Sequence, residues 1–234
     1  MLSILARSLL EDASADLSYR DKAYEFVVKL KAWLANPDNE DHLEYVGGKF
    51  DGGVAFKAKF VDADYDDLMI VMLPHASKQT GEYQVSGGFG KTPDSRWSVI
   101  FIYNLIGPCN TKYADTRIDV GTLIHEVIHY FDAKREKKPQ KASRAKIDSG
   151  DDVGYFNDPS EFNAYFQEMA WSLGRLFENE HFSALPEHRT WAGFVELAEK
   201  IAQTQWVELL TPKYRRKFLK RLHPLWLRLV GTGT

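Results

Sequence analysis

Two histidines and a glutamate at a fixed spacing are the residues of this sequence best suited to carry out chemistry. His125, Glu126 and His129 form the pattern H-E-x-x-H inside a segment with helical apolar spacing. Positions i and i+4 of a helix lie one turn apart on the same face, so both imidazoles can reach one metal ion. Glu126 lies beside them, where it can hold a metal-bound water and take its proton rather than bind the metal itself. The spacing therefore predicts a hydrolytic metal centre.

A zinc centre of this type needs a third protein ligand, and its fourth position is left for water. A third histidine at the spacing H-E-x-x-H-x-x-G-x-x-H is absent, because Asp132 replaces the glycine and Arg135 replaces the histidine. The best candidate for the third ligand is Glu161, at the start of a later predicted helix, and Glu168, two turns further on, is the reserve. The sequence thus predicts zinc as the cofactor.

Glu161 also fits a purely structural role. The segment 158–161 has the pattern of a capping box, with Asp158 as the N-cap and Glu161 at the third helical position. A glutamate that caps a helix need not touch a metal. Asp151 and Asp152 are weaker alternatives for the third ligand.

These residues together resemble the pattern of the gluzincin metallopeptidases, and most closely the lethal-factor-like group, which includes the proline-specific endopeptidases. The resemblance covers roughly residues 97–178 and rests on His125-Glu126-x-x-His129-x-x-Asp132, Tyr155 and Glu161-Phe-x-Ala. It implies a zincin-like fold in which Glu161 is the third zinc ligand. It also implies that a tyrosine upstream of that glutamate, Tyr155 here, stabilises the oxyanion.

Tyr155 lies one residue nearer to the glutamate than the corresponding tyrosine of that group. Tyr165, His181 and His188 are therefore alternative hydrogen-bond donors to an oxyanion. The donor is left open among these four residues.

Two further polar residues lie one helical turn from the histidines. Asp132, one turn after His129, either accepts a hydrogen bond from a ligand imidazole and fixes its tautomer, or is simply solvated. Thr122, one turn before His125, is expected to be a structural hydroxyl.

Helices are predicted at both ends of the chain, and the H-E-x-x-H segment lies in one of them. Residues 1–36 have helical spacing after a capping box at Ser18, and the segment 36–38 ends that helix. Further helices are predicted at 119–136, 159–177 and 187–202, and a last one starts near Pro212 and is broken at Pro224. This last helix is amphipathic.

A small, mostly antiparallel sheet is predicted over residues 45–106. Apolar and polar residues alternate between Val54 and Phe60, and short apolar runs cover 68–73 and 99–105. Either 99–105 or 83–89 is expected to supply the edge strand on which an extended peptide pairs beside the metal site. Strands between helices predict an α+β fold, interpreted as a single domain over residues 1–234 with metal-site helices at 119–178 and C-terminal helices at 187–230.

Composition excludes several classes of protein. The 234 residues include one cysteine, Cys109, which excludes a disulfide scaffold and a zinc site built on several thiolates. The formal net charge of −3 excludes a uniformly basic nucleic-acid binder. The first apolar run is interrupted by Arg7 and Glu11, which favours a cytoplasmic protein, while export without a signal and packaging into a larger particle stay open.

The net charge hides two basic blocks. Residues 134–146 hold seven basic residues and one acidic, and residues 212–230 hold seven basic and none acidic, so the remainder carries −16. Either block is a solvated surface or a site for an acidic partner. The peptide or protein substrate is the other expected partner.

The favoured function is a zinc-dependent peptidase with Glu126 as general base. The alternative is a zincin-like metal-binding domain without turnover, acting as a binding or assembly component of a virion or toxin complex. Hydrolysis of a non-peptide amide, as in cell-wall material, uses the same centre. Glu126 favours catalysis, since it would have no duty at a structural metal site.

Overall fold

The structure is a computed structural model, which describes residues 21–46, 53–73, 78–80, 83–85, 87–92, 94, 96–102, 120–136, 149–202 and 204–231. The chain divides into two compact units, one within Asp21–Lys138 and one within Pro139–Thr234. The sequence predicted a single domain, and that stays a prediction. The capping box at Ser18, Cys109 and most of the basic block 134–146 lie outside the described residues.

A five-stranded sheet forms the centre of the first unit. Its strands in chain order are β1 (Glu44–Val46), β2 (Gly53–Lys57), β3 (Leu68–Met72), β6 (Gly87–Lys91) and β7 (Ser98–Ile102). They lie side by side in the order β1-β2-β3-β7-β6, and only β3 and β7 among these neighbours are parallel. A separate antiparallel pair joins β4 (Lys78–Thr80) to β5 (Tyr83–Val85). The predicted small, mostly antiparallel sheet is confirmed.

The two central strands are buried on both faces. Ile70 of β3 pairs with Ile100 of β7, and both side chains are fully buried. On the other face, Val71 and Val99 form a second small apolar cluster with Ala55. Short apolar runs are typical of strands with this double burial, which is why the sequence showed them as runs rather than alternations.

The strand predicted over residues 54–60 is shorter than expected. β2 ends at Lys57, and Ala58–Phe60 form a 3-10 turn. Val54, Phe56 and Ala58 are buried as the alternation required, but Phe60 is exposed and stacks on His42 at 4.2 Å between ring centres. The prediction for Phe60 was wrong, because apolar alternation does not show where a strand stops pairing.

Helix α1 covers residues 21–35 of the described chain. Ala23, Phe26, Val27 and Leu30 are buried, as their spacing predicted. Trp33 stacks on Phe56 of β2 at 4.9 Å, which places α1 against the sheet. The helix ends before Asn36, close to the predicted end at 36–38, and a 3-10 helix, Pro37–His42, follows it.

Helix α2 (Val120–Glu136) carries the H-E-x-x-H segment and packs on β6 and β7. Every side-chain-bearing residue from Val120 to Tyr130 is buried, so the helix is enclosed rather than amphipathic over this stretch. The predicted start at Asp119 lies outside the described residues, and the predicted end at Glu136 is confirmed.

The second unit is helical throughout its described residues. Its helices are α3 (Asp152–Phe156), α4 (Pro159–Phe177), α5 (Glu180–Ser183), α6 (Pro186–Arg189), α7 (Trp191–Ile201), α8 (Thr204–Glu208) and α9 (Pro212–Gly231). One core joins them, and its fully buried aromatic side chains include Phe162, Phe194, Trp206 and Phe218. The helix predicted over 159–177 is confirmed at both ends.

Two predicted helix limits in this unit were wrong. The helix predicted over 187–202 is divided into α6 and α7, because Thr190 is extended and its hydroxyl caps α7 by accepting from Gly193 N at 3.1 Å. Helix α9 continues through Pro224, where a break was predicted. Proline costs one helical hydrogen bond, and the packing of Leu222 and Leu225 on either side holds the helix together.

Strands in one unit and helices on both sides of them in the chain confirm the α+β class. Of the helices that the structure describes, none combines the length and apolarity required to cross a membrane.

Candidate metal centre

Two buried imidazoles face one another on α2. His125 Nε2 and His129 Nε2 are 3.1 Å apart, and both side chains are buried. The helix sets this geometry, because residues four apart are stacked on the same face one turn from each other. Two ring nitrogens this close can share one proton or both point their lone pairs at one cation.

Glu126 is buried beside the histidines, and a glycine of β6 makes room for it. A Cβ atom at Gly87 would lie 3.0 Å from Glu126 Oε1 and 2.5 Å from the methyl group of Thr122. The contact with Thr122 is closer than real Cβ atoms come, and the contact with Glu126 would require the carboxylate to move by a few tenths of an ångström, so the close approach of β6 to α2 depends on this glycine. The absence of a side chain at Gly87 thus sets where the carboxylate of Glu126 lies.

Asp132 and Thr122 are both buried on α2. For Asp132 this removes the alternative of a solvated aspartate, because its side chain is only 6% exposed. Burial of an aspartate is favourable only when its carboxylate is hydrogen-bonded or paired. Its proposed role of fixing a histidine tautomer stays a prediction.

The end of α2 is fastened to the sheet by a polar contact that the sequence did not reveal. The Tyr130 hydroxyl donates to Asp67 Oδ1 at 2.6 Å, and Lys134 Nζ lies 3.0 Å from the same oxygen. Burial acts to raise the pKa of Asp67, but the hydrogen bonds from Tyr130 and Lys134 outweigh it and lower that pKa. Tyr130 follows His129 directly, so its hydrogen bond to Asp67 holds the helix in place next to the imidazoles.

Glu161 lies in the first turn of α4 and is buried. Asp158 caps this helix as predicted, with its Oδ1 accepting from Ser160 N at 3.1 Å. In a complete capping box the carboxylate of Glu161 would accept from the backbone N–H of Asp158. The N–H of Asp158 donates to the carbonyl of Tyr155 at 3.0 Å.

Tyr155 lies beside Glu161 within the second unit. Its hydroxyl is in hydrogen-bonding contact with Glu161 and with Tyr165. Burial, followed by the neighbouring Tyr165 and Glu161, raises the pKa of Tyr155 well above its usual value. The phenol is therefore a neutral donor across the physiological range.

Within the part of the chain that the structure describes, one group of residues has the donor set for a metal ion. It consists of His125 and His129 in the first unit and Glu161 in the second. All three are buried. Two imidazoles and one carboxylate are the donor set that catalytic zinc sites use.

The reserve residues have other surroundings. Glu168 is half-buried on α4 and does not belong to this group, and the carboxylate of Asp151 caps α3 by accepting from Gly154 N at 2.8 Å. His188 stacks on the Phe182 ring at 4.1 Å, with its Nδ1 2.9 Å from the Phe182 carbonyl oxygen. His181 is exposed.

Gly87 and Asp67 were missed by the sequence analysis. The glycine-rich cluster Gly87-Gly88-Phe89-Gly90 is the sequence signal for a close approach of the backbone at Gly87. Asp67 and Tyr130 are 63 residues apart, and no local pattern pairs them.

Comparisons with protein families, with curated proteins and with solved structures give no match to this chain.

Proposed function

We propose that this protein is a zinc-dependent peptidase. The observation that carries the proposal is the pair of buried imidazoles 3.1 Å apart on α2, with the buried carboxylate of Glu126 next to them in the chain. Two imidazole nitrogens at this separation can both bind one divalent cation, and a carboxylate beside them can act on a water that the cation holds.

The residues present fit a zinc ion. Two nitrogens bound to one tetrahedral zinc at about 2.1 Å lie about 3.4 Å apart, close to the separation in the structure. Glu161 would complete the ligand set with His125 and His129. When bound, zinc supplies a Lewis acid and brings the pKa of a water ligand near neutrality.

The side chains of this protein then have distinct roles in hydrolysis. Glu126 accepts the proton of the attacking water on its carboxylate and later delivers it to the leaving amine. Tyr155 holds its proton and donates a hydrogen bond, either to the developing oxyanion or to Glu161. Asp132, buried one turn beyond His129, orients an imidazole.

The substrate that fits this arrangement is an extended peptide. Strand β6 lies at one end of the described sheet and packs on α2, which carries the proposed ligands His125 and His129. An extended segment can add to such a strand through backbone hydrogen bonds, leaving its side chains to determine specificity. A peptide or protein substrate is therefore the primary partner, and the described basic block on α9 is a candidate for a second, acidic partner.

The test is Glu126→Gln in the full chain, with zinc content and peptide hydrolysis measured together. We expect stoichiometric zinc in both proteins and at least a thousandfold loss of hydrolysis in the variant, since the general base is removed. Hydrolysis that survives the substitution contradicts the proposal. A wild-type protein that binds zinc but cleaves no member of a diverse peptide library supports the non-catalytic binding alternative.

A further inference from the structure

The outward face of α9 carries positive charge along most of its length. Lys213, Arg216, Lys217, Lys220 and Arg228 are all exposed. Lys213 is three and four residues from Arg216 and Lys217, and these are four and three residues from Lys220, so the four lie on one side of the helix. The helix contains no aspartate or glutamate, so none of this charge is balanced within it.

The cations that turn toward the unit are engaged in packing. Arg215 contacts Glu199 of α7. Arg221 donates from Nη2 to Asn163 Oδ1 at 2.9 Å, and its guanidinium lies 4.0 Å from the centre of the Phe166 ring. Lys217 also lies over the Phe162 ring, 5.1 Å from its centre, whereas Lys213, Arg216 and Lys220 are exposed.

Helix stability does not account for the exposed set. Lys213, Arg216 and Lys217 lie in the first two turns of α9, at the positive end of the helix dipole. That end favours acidic side chains and disfavours cations. A face that opposes the preference of its own helix is expected where the charge serves a ligand.

An aromatic cluster continues this face toward the C-terminal half of α9. The exposed ring of His223 lies 5.2 Å from Trp191 and 5.6 Å from Trp226, measured between ring centres. Both tryptophans are half-buried, so part of their surface is accessible. Cations followed by accessible aromatic rings form a phosphate-binding track that ends at a stacking surface.

We propose that this face of α9 binds single-stranded nucleic acid. Lys213, Arg216 and Lys220 would neutralise successive phosphates, and an unpaired base would stack at the cluster of Trp191, His223 and Trp226. Stacking of this kind requires bases that are not already paired. The proposal goes beyond the peptidase and does not depend on it.

The surroundings of α9 favour this occupant over an anionic membrane. Its apolar residues Phe218, Leu222 and Leu225 are buried in the core of the unit. An interfacial helix instead needs a free apolar face to enter the acyl region. An acidic protein could use the same cations, and poly-glutamate is therefore one of the competitors in the test below.

The test is fluorescence anisotropy of a labelled oligo(dT) of about 20 nucleotides with the full chain, over a series of salt concentrations. We expect Lys213→Glu/Arg216→Glu/Lys220→Glu to weaken binding at least about tenfold and to reduce the salt slope by about 2, since three phosphate contacts are lost. The matched control is Lys22→Glu/Lys31→Glu/Lys59→Glu, which makes the same change in net charge at exposed sites of the first unit. It should bind oligo(dT) within about twofold of wild type once salt is present to screen the net charge.

His223→Ala tests the stacking surface separately. We expect weaker oligo(dT) binding and less quenching of tryptophan fluorescence, with the salt slope unchanged. Equal affinity of wild type and the triple variant overturns the proposal, and so does binding of duplex DNA, poly-glutamate or phosphatidylserine vesicles as tightly as oligo(dT). If circular dichroism shows that the triple variant is unfolded, Lys213→Gln/Arg216→Gln/Lys220→Gln is used and should still weaken binding.

Discussion

Gly87 is the residue whose substitution most directly tests the position of Glu126. We predict that Gly87→Ala lowers the turnover number by about a hundredfold, because a Cβ atom displaces Glu126, the proposed general base, by a few tenths of an ångström. Zinc content should be unchanged, since the substitution does not touch the histidines. Kinetics on a peptide substrate, with metal analysis of the same sample, measure both.

The same strand offers the control for this prediction. A Cβ atom at Gly88 would meet nothing within 4 Å, so Gly88→Ala should keep its activity. Thr122→Ser removes the methyl group nearest to the added Cβ and should recover part of the lost activity in combination with Gly87→Ala. Equal activity of Gly87→Ala and Gly88→Ala would show that the contact does not position the base.

Glu161 and Glu168 lie on the same helix, so substitution of each in turn tests which of them binds the metal. We predict that Glu161→Ala lowers zinc affinity by at least about tenfold, because one of three protein ligands is lost. Glu168→Ala should retain the metal. The measurement is zinc stoichiometry after dialysis against a weak chelator. Retained zinc in Glu161→Ala, with loss in Glu168→Ala, would move the third ligand to the reserve residue.

The hydrogen bond between Tyr130 and Asp67 makes stability depend on pH. Because the pKa of Asp67 is lowered in the folded protein, its contribution is present above the usual value and is lost as pH falls through the folded value. We predict that Tyr130→Phe costs about 1–2 kcal/mol at neutral pH and less than half of that at an acidic pH below the folded pKa of Asp67. Urea denaturation at both pH values measures this.

Tyr45→Phe is the matched control for that experiment. Tyr45 is 63% exposed, and its substitution should leave the free energy of unfolding within about 0.5 kcal/mol of wild type at either pH. A constant cost of Tyr130→Phe across the pH range would contradict the role given to Asp67.

Residues that act through local spacing could be predicted, and those that act through tertiary contact could not. His125 and His129 are four apart, and the helix period alone brings their ring nitrogens together. Gly87 and Asp67 reach α2 across the sheet, and only the fold shows that one makes room for Glu126 and the other holds Tyr130. Burial of Asp132 depends in the same way on packing that its position in the helix does not encode.

At the scale of elements, Asn157 fastens the start of α4 to the segment before α9. Its amide donates to the carbonyls of Val153 and Leu209, and its Oδ1 accepts from the backbone and hydroxyl of Thr211. We predict that Asn157→Ala lowers the free energy of unfolding by about 2–4 kcal/mol, because half-buried backbone groups lose their partners. Chemical denaturation measures the change.

Asn39→Ala provides the comparison, since Asn39 makes one side-chain hydrogen bond, to the Trp33 carbonyl, and should cost about 1 kcal/mol or less. Asn157→Asp keeps both acceptor contacts to Thr211 but loses the donors, so its stability should lie between that of Asn157→Ala and wild type. Equal stability of the two Asn157 variants would show that the acceptor contacts contribute nothing.

Helices with clear start signals were the elements best predicted from the sequence. Pro159 after Asp158 fixed the start of α4, because that pair satisfies the first turn. The helix predictions at Pro224 and Thr190 were both wrong, the first because a break was predicted and is absent, the second because a break was not predicted and is present. Packing carries α9 through a proline, whereas a capping threonine divides a run whose apolar spacing is continuous. The sequence contains both signals but not the packing that decides between them.

At the scale of the whole molecule, metal binding should stabilise the folded chain. A ligand that binds only the folded state adds about 2.7 kcal/mol at a hundred times its dissociation constant. We predict that zinc raises the melting temperature of the wild type and that a chelator lowers it. His125→Ala should abolish this response, and His181→Ala, at an exposed histidine, should preserve it. Differential scanning calorimetry with and without zinc provides the measurement.

The α+β class and the order of its parts could be predicted for the whole chain, since strands and helices occupy separate stretches of sequence. The division at Lys138 could not, because no proline-rich or glycine-rich linker marks it and the basic residues around it have the composition of any solvated loop. The boundary between the two compact units is therefore not marked in the sequence.

The parallel pairing of β3 with β7 has a kinetic consequence. The other ladders of the five-stranded sheet join strands that are consecutive or nearly so, and each can close through a short loop. The ladder between Ile70 and Ile100 instead joins strands that β4, β5 and β6 separate in the chain, so its closure carries the larger entropic cost. Assembly of the sheet should therefore be rate-limiting, so zinc added during refolding is expected to slow unfolding while leaving the folding rate unchanged.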